Sequence, residues 1–274
     1  MISRLRIGEV EVNRIGFGAM RVIGNDDIWG EPKDRGNALR VLRRALELGV
    51  ELIDTAESYG PHTDEVLIAE ALHPYPKGLV IATKGGLARP SPGRWDADCR
   101  PEKLRQDLEG SLKRLKLERI DLYQLHAVDL KVRLEDSVGA LADMQRQGKL
   151  RHIGLSNVTV KQLERARKIA PIVSVQNRYS LLERTQEDVL LHCETQRIAF
   201  LPWYPLGDGA ALKVFRVKKL AERLKATPAQ IAIAWLLRKS PVVVPIPGTG
   251  KLAHLEENVA AAKLKLSDED FRLL

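Results

Sequence analysis

Apolar and polar positions alternate with two different periods along this chain of 274 residues. Leu5-Arg6-Ile7-Gly8-Glu9-Val10-Glu11-Val12 alternates strictly around Gly8-Glu9, which predicts a β-hairpin. Beyond it, short β-branched runs trade places with stretches whose apolar residues recur at helical spacing. Strands are predicted over 14–18, 52–54, 79–83, 120–124, 152–156, 172–176, 199–202 and 242–245. The helices between and after them are predicted over 37–48, 64–72, 101–115, 134–147, 160–169, 186–195, 214–224 with 228–238, and 252–262. Local chemistry supports these bounds. Gly49 and Gly148 stop helices, Pro101 opens one, and Thr227-Pro228-Ala229-Gln230 forms a capping box with proline in the first turn.

Eight strand-then-helix units follow one another with no linker or low-complexity segment. Short, β-branched strands suit a parallel sheet buried on both faces. This predicts an α/β fold of the (β/α)8 TIM-barrel type, one domain over 1–274, with the N-terminal hairpin plugging the end where the strands begin. A doubly wound open sheet is the competing architecture.

Composition narrows the function classes. The net charge is +8, but the basic residues are spread over helical faces and do not cluster with aromatics, so nucleic-acid binding is not expected. An anionic small molecule is compatible with this balance. Cys99 and Cys193 form no disulfide framework, and the N-terminus MISRLRIGEVEV carries no long apolar segment. A cytoplasmic protein without membrane attachment is the expectation.

Several familiar signatures fail. Arg21 stands where a dinucleotide fingerprint beginning at Gly16-Phe17-Gly18 needs its third glycine. Gly250-Lys251 continues into Leu252 rather than the Ser or Thr of a phosphate loop, and Gly154-Leu155-Ser156-Asn157-Val158 lacks the second glycine of a nucleophile elbow. No histidine or cysteine spacing implies a metal.

In a barrel of this type, chemistry gathers at the carboxyl ends of the strands. Those ends offer Asp54 with nearby Tyr59, Lys84, His126, Ser156-Asn157, Gln176-Asn177, Trp203 and Gly248-Thr249. Each has a bland reading: a lysine reaching water, a satisfied core histidine, a glutamine capping a helix. Together they deliver an acid, a base and proton donors to one mouth. A phenol beside an ammonium is expected to have its pKa pulled down, and an aspartate would hold that lysine in place. Such a phenol could protonate an oxygen that is gaining negative charge. With no nucleophile and no metal, hydride from a reduced nicotinamide fits this layout.

These residues are similar to those of the aldo-keto reductases along essentially the whole chain. The motifs are Gly16-Phe17-Gly18-Ala19-Met20, Ile53-Asp54-Thr55-Ala56 through Tyr59-Gly60, Thr83-Lys84, and Asp121 to His126. Gly154 to Asn157, Val175-Gln176-Asn177, Pro205-Leu206-Gly207, Ile246-Pro247-Gly248-Thr249 and Glu256-Glu257-Asn258 continue the series. The resemblance implies a catalytic set of Asp54, Tyr59, Lys84 and His126, with Tyr59 as the general acid. It also implies a cofactor site. Gly18, Ala19 and Met20 would border it, and Ser156, Asn157 and Gln176 would meet the nicotinamide carboxamide. Trp203 would stack on the nicotinamide ring, and Pro205, Leu206 and Gly207 would follow the pyrophosphate. Pro247, Gly248, Thr249, Lys251, His254, Glu257 and Asn258 would hold the adenosine end. Gly248 and His254 replace a lysine and an arginine that many members set against a 2′-phosphate, leaving Thr249, Lys251 and a helix start as anion binders. NADPH is preferred to NADH on this reading.

Within the family, the stretches 29–35, 71–76 and 152–159 resemble the microbial pyridoxal reductase (pyridoxine dehydrogenase) subgroup. The implied reaction is reduction of an aldehyde or ketone to the alcohol, with pyridoxal or other small or aryl aldehydes as substrates. The chain ends at Leu274 and the segments 127–133 and 207–213 are short, so an open pocket walled by Met20, Trp29 and Trp95 is expected, favouring aldehydes over bulky ketones. A monomer is expected. Two rivals stand beside this reading: a nicotinamide-sensing regulatory subunit of the same fold with incidental turnover, and a phosphate-handling barrel lyase or isomerase.

Overall fold

The computed structural model describes residues 3–24 and 27–274, so Met1 and Ile2 of the N-terminal reading lie outside the described residues. The predicted hairpin forms from β1 (Arg4–Ile7) and β2 (Val10–Asn13), paired antiparallel. Gly8 turns it at φ 62°, and a Cβ there would meet the His152 ring at 2.5 Å. Only glycine lets the turn lie this close to the start of a barrel strand, and His152 Nε2 accepts a hydrogen bond from the Glu9 amide at 3.3 Å.

Seven strands then curl into one sheet: β3 (Phe17–Gly18), β4 (Leu52–Asp54), β5 (Val80–Gly85), β8 (Ile120–Leu125), β9 (Leu150–Ser156), β10 (Ile172–Gln176) and β11 (Ala199–Phe200). They pair in that order and always parallel. The segment predicted as an eighth strand, 242–245, closes the ring without becoming a regular strand. It bridges Phe200 through Val243, and its Pro245 carbonyl accepts from the Gly16 amide at 2.9 Å. The reason is chemical: Pro241, Pro245 and Pro247 have no N–H to donate, so a continuous ladder cannot propagate.

The helices are α1 (Arg35–Glu47), α2 (Thr63–Leu72), α3 (Pro101–Leu115), α4 (Leu134–Arg146), α5 (Val160–Arg167), α6 (Glu187–Gln196), α7 (Phe215–Leu224), α8 (Pro228–Lys239), α9 (Leu252–Ala260) and α10 (Asp268–Leu273). Capping boxes start α5, α8 and α10, and the Asp34 side chain caps α1. The interior of the ring is filled by Leu52, Val80, Ala82, Leu122, Ala199, Leu201, Val244 and Ile246, with Ile7 and Val12 of the hairpin sealing it from below. A larger apolar layer lies between the sheet and the helices. This is the (β/α)8 barrel with its hairpin plug.

Two elements were not expected. The small hairpin of β6 (Leu87–Ala88) and β7 (Asp96–Ala97) sits in a stretch dominated by Pro90, Pro92 and Gly93. The six-residue α10 is too short to show a period. Among the described residues, no helix is long and apolar enough to cross a membrane.

Candidate active site

Parallel pairing puts the ends of β4, β5, β8, β9 and β10 side by side on the rim opposite the hairpin. Asp54 ends β4, and Lys84 stands one strand away on β5 with its side chain wholly buried. The chain after Asp54 winds back over this rim. The Glu57 amide donates to the Lys84 carbonyl at 3.2 Å, the Tyr59 amide to Ala56 at 3.1 Å and the His62 amide to Glu57 at 2.7 Å. Gly60, at φ 94°, completes the coil, because a Cβ there would collide with Thr63 at 2.6 Å. Tyr59 is thereby folded inward over the two charged residues, and it is buried.

Lys84 Nζ donates to Asp54 Oδ2 at 2.7 Å, to the Thr55 carbonyl at 2.8 Å and to the Tyr59 hydroxyl at 3.4 Å. The other carboxylate oxygen, Asp54 Oδ1, accepts from Gln176 Nε2 at 2.8 Å and from Gln124 Nε2 at 3.3 Å. The pair therefore has few idle donors or acceptors, which is the condition under which a buried ion pair is tolerated. Burial works against the charge on Lys84, but Asp54, and then Tyr59, outweigh it and hold the ammonium above its ordinary pKa.

The phenol behaves differently from the expectation. Burial is the largest influence on Tyr59 and raises its pKa; the Lys84 charge pulls it down but does not prevail. Asp54 neutralises much of what the ammonium would otherwise do. Tyr59 is consequently a protonated hydrogen-bond donor at neutral pH. His126, after β8, is held well below its ordinary pKa by burial and then by the Lys84 charge, so its imidazole is neutral. Its Nδ1 lies 3.3 Å from Ser58 Oγ, and its ring meets the Tyr59 ring edge-on at 5.7 Å between centroids. An electron-rich oxygen placed against this corner would meet a phenol proton, a neutral imidazole and a fixed positive charge behind them. Among the described residues, no cluster of histidine, cysteine or carboxylate side chains could hold a metal.

The corner is the floor of a cleft of about 590 Å³ whose lining includes Tyr59, His126, Trp95, Trp203, Leu212 and Ile246. A second hollow of about 460 Å³ continues it, sharing Arg21 and Gly248 and reaching Lys33, Asn37, Thr249, Lys251 and His254. Between the two, the Gly18 and Gly248 backbones nearly touch. A Cβ on Gly248 would stand 2.5 Å from the Gly18 carbonyl oxygen, and one on Gly18 would stand 2.7 Å from that of Ile246. The far hollow receives the start of α9, whose first turn carries no acid and whose cap position makes no side-chain bond. Its free amides and partial positive charge suit an anion.

The sequence model described as "Aldo/keto reductase family" matches residues 14–274. The chain belongs to the aldo/keto reductase family. It is 49% identical over 271 residues to an uncharacterized oxidoreductase of Schizosaccharomyces pombe, covering 98% of this chain and 88% of that one. It is 42% identical over 269 residues to the pyridoxine 4-dehydrogenase of Escherichia coli, covering 96% and 94%. Among solved structures, a glycerol dehydrogenase from Gluconobacter oxydans superposes with a TM-score of 0.89 at 28% identity, over 98% of this chain and 93% of that one. This aldo/keto reductase is accordingly an oxidoreductase.

The predicted residues divide on this geometry. Asp54, Tyr59, Lys84 and His126 converge, and Gly18, Met20, Ser156, Asn157, Gln176, Trp203, Pro205, Leu206, Pro247 and Gly248 line the near cleft. Thr249, Lys251 and His254 line the far one. Several polar groups are already engaged. Ser156 Oγ donates to the Gln176 carbonyl at 2.8 Å, Gln176 Nε2 points at Asp54, and Asn157 Oδ1 accepts from Trp203 Nε1 at 3.0 Å. Asn157 also donates to the His126 carbonyl at 3.1 Å, so one side chain fixes the histidine segment and the indole together.

Other predicted residues lie outside the linings of these two hollows. Ala19 is fully buried beneath the rim, and Asn258 is buried on the inner side of α9. Neither these nor Gly207 and Glu257 border the two hollows. Trp95 lines the near cleft and Trp29, predicted with it, stands outside that lining; the Arg89 guanidinium lies over both rings, 3.6 Å from the centre of Trp95 and 5.4 Å from that of Trp29. The residues missed by sequence reasoning are chiefly Arg21, Ile28, Leu87, Tyr204, Asp208 and Lys33. Arg21 and Asp208 pair at 3.0 Å across the groove. Each is adjacent to a motif residue, but two loops far apart in sequence give no sign that their side chains meet.

Proposed function

We propose that this aldo/keto reductase reduces an aldehyde or small ketone to the alcohol with NADPH, acting as one catalytic unit over the whole chain. The observation that carries this reading is the buried line Asp54–Lys84–Tyr59, ending in a protonated phenol at the floor of an apolar cleft. The groove from Trp203 to Lys251 would hold NADPH, which would supply the hydride that the carbonyl carbon takes up. Tyr59 gives its proton to the carbonyl oxygen, and the Lys84 ammonium stabilises the phenolate left behind. Asp54 holds the ammonium at 2.7 Å, and neutral His126 hydrogen-bonds and orients the substrate oxygen.

The residues present fit the cofactor. Trp203, locked by its bond to Asn157, offers a face for the nicotinamide. Lys33, Lys251, His254 and the open start of α9 surround the place for an added phosphate, which favours NADPH over NADH. The family's use of NADP(H) agrees with this choice. The Escherichia coli relative's name supports an alcohol–aldehyde pair on an aromatic ring, pyridoxine and pyridoxal, as a substrate class to test first. The free, buried thiols of Cys99 and Cys193 support a reducing, cytoplasmic setting.

The test is Tyr59→Phe. Turnover of pyridoxal or an aryl aldehyde, followed by NADPH oxidation, should fall by about 10²–10⁴-fold, the usual worth of a general acid. The dissociation constant for NADPH, read from tryptophan quenching, should stay within about twofold. Retained reduction would refute the mechanism.

A further inference from the structure

Arg89 follows β6 and is more than nine-tenths buried, yet it takes no part in the chemistry above. Its guanidinium lies 3.6 Å from the centre of the Trp95 ring and 5.4 Å from that of Trp29. Its Nη2 donates to the Asp27 carbonyl at 2.7 Å, while Nη1 reaches the Ile28 carbonyl at 3.4 Å and the Ser58 carbonyl at 3.5 Å. Nε is buried without a partner. A planar, forked cation is the one side chain that can face an indole and meet carbonyls from two different loops at once.

Those contacts draw together three segments that share no ladder with one another in the barrel sheet: the loop 27–30, the coil carrying Tyr59, and the hairpin of β6 and β7. The first two also meet directly, through the Gly30 amide on the Gly60 carbonyl at 2.6 Å and the Gly60 amide on the Ile28 carbonyl at 3.2 Å. Ile28 itself sits at φ 51°, a left-handed conformation that a β-branched residue adopts only where surrounding structure imposes it. Ile28, Leu87 and Trp95 are the groups these three segments present to the cleft beside Tyr59. The Trp95 ring stands edge-on to Tyr59 at 6.3 Å between centroids.

We propose that Arg89 is a positioning residue for the substrate: the Arg89 clip assembles Ile28, Leu87 and Trp95 into a wall that orients planar, aromatic aldehydes toward Tyr59. This rests on the carbonyl-reductase reading and adds the residue that sets its preference. A ring lying against Trp95 depends on the wall's position, whereas a short aliphatic aldehyde touches little of it. Removing the clip therefore costs aromatic substrates their orientation and leaves the cofactor groove and the Asp54–Lys84–Tyr59 line in place.

The experiment uses the full chain with Arg89→Met and Arg89→Lys, pyridine-4-carbaldehyde and propanal at saturating NADPH, and tryptophan emission of the protein alone. In Arg89→Met, KM for the aryl aldehyde should rise about tenfold and that for propanal by about twofold at most, the difference matching loss of a desolvated cation–π contact. NADPH affinity should be unchanged, tryptophan emission should shift to the red, and added guanidinium should restore part of the aryl KM. Arg89→Lys keeps the charge but not the fork, so the same selective rise should survive in it if Arg89→Met fails to fold. Equal losses for both aldehydes, or an unchanged aryl KM, would overturn the proposal. If the wild type reduces no aldehyde, the reductase reading fails instead. The clip is then decided by emission, an unshifted spectrum in Arg89→Met overturning it.

Discussion

Replacing Asp54 by Asn tests whether the buried pair is organised as described. Lys84 is wholly buried, and Asp54 is its only close carboxylate among the described residues, at 2.7 Å. Asparagine keeps the shape but removes the negative charge, leaving in the barrel an ammonium that meets only neutral acceptors such as the Thr55 carbonyl and the Tyr59 hydroxyl. Breaking a buried pair in this way costs about 3–5 kcal/mol. At about 2–4 °C per kcal/mol for a chain of this size, the melting temperature should fall by roughly 6–20 °C. Lys84→Met should be destabilising as well, since it strands the carboxylate. The double variant strands neither charge, so it should be about 1–3 kcal/mol more stable than the sum of the single losses.

The pH dependence adds a second readout. In the wild type the Lys84 pKa is raised, so the pair's contribution is complete below 10.5 and is lost as pH climbs through the folded value. Without Asp54, burial, already the largest single influence, is no longer outweighed and pushes the ammonium below 10.5. The unfolded variant then binds more protons than the folded one, and its stability rises with pH toward that value. The gap between wild type and Asp54→Asn should therefore be widest near neutrality and narrow as pH rises. Thermal unfolding across pH 7 to 10 measures it. A variant melting within about 1 °C of wild type at neutral pH would refute the account, as would strict additivity in the double variant.

Asp64 gives a prediction of opposite sign. Burial raises its pKa to about 7, with one oxygen bonded to Thr55 Oγ1 at 2.7 Å and the other unpartnered. Its protonated form favours folding most below 3.8, and that advantage is lost as pH rises through about 7. Asp64→Asn should gain on wild type in melting temperature between pH 5 and pH 8; a difference constant with pH would reject this. Gly248→Ala must move the Gly18 carbonyl that would lie 2.5 Å away, and should cost about 1–3 kcal/mol in denaturant unfolding while weakening NADPH binding. Lys251→Ala should raise the dissociation constant for NADPH about tenfold, as for one lost charge-assisted bond, and leave that for NADH unchanged in a fluorescence titration.

The sequence by itself determined the order and nature of the elements. The ranges for β4, α3 and β10 were read as they stand, because each is a local run bounded by glycine, proline or a charge. The four residues at the corner were also legible, since strand ends are local features and the barrel's symmetry assigns all of them to one rim. Nothing local indicated that the last strand would shrink to a bridge, because that depends on which N–H groups a neighbour needs. Three further matters belong to the tertiary structure alone. The pKa of Tyr59 is a balance between burial and Lys84, and burial, which prevails, cannot be read from spacing. Trp29 and Trp95 look equivalent in sequence and Arg89 lies over both rings, yet of the two only Trp95 lines the cleft. The Arg21–Asp208 pair and the meeting of Gly18 with Gly248 join segments remote in the chain. Periodicity records which side of an element is apolar. Only packing decides which side chains from different loops share a volume, and in this protein that sharing shapes the pocket around Tyr59.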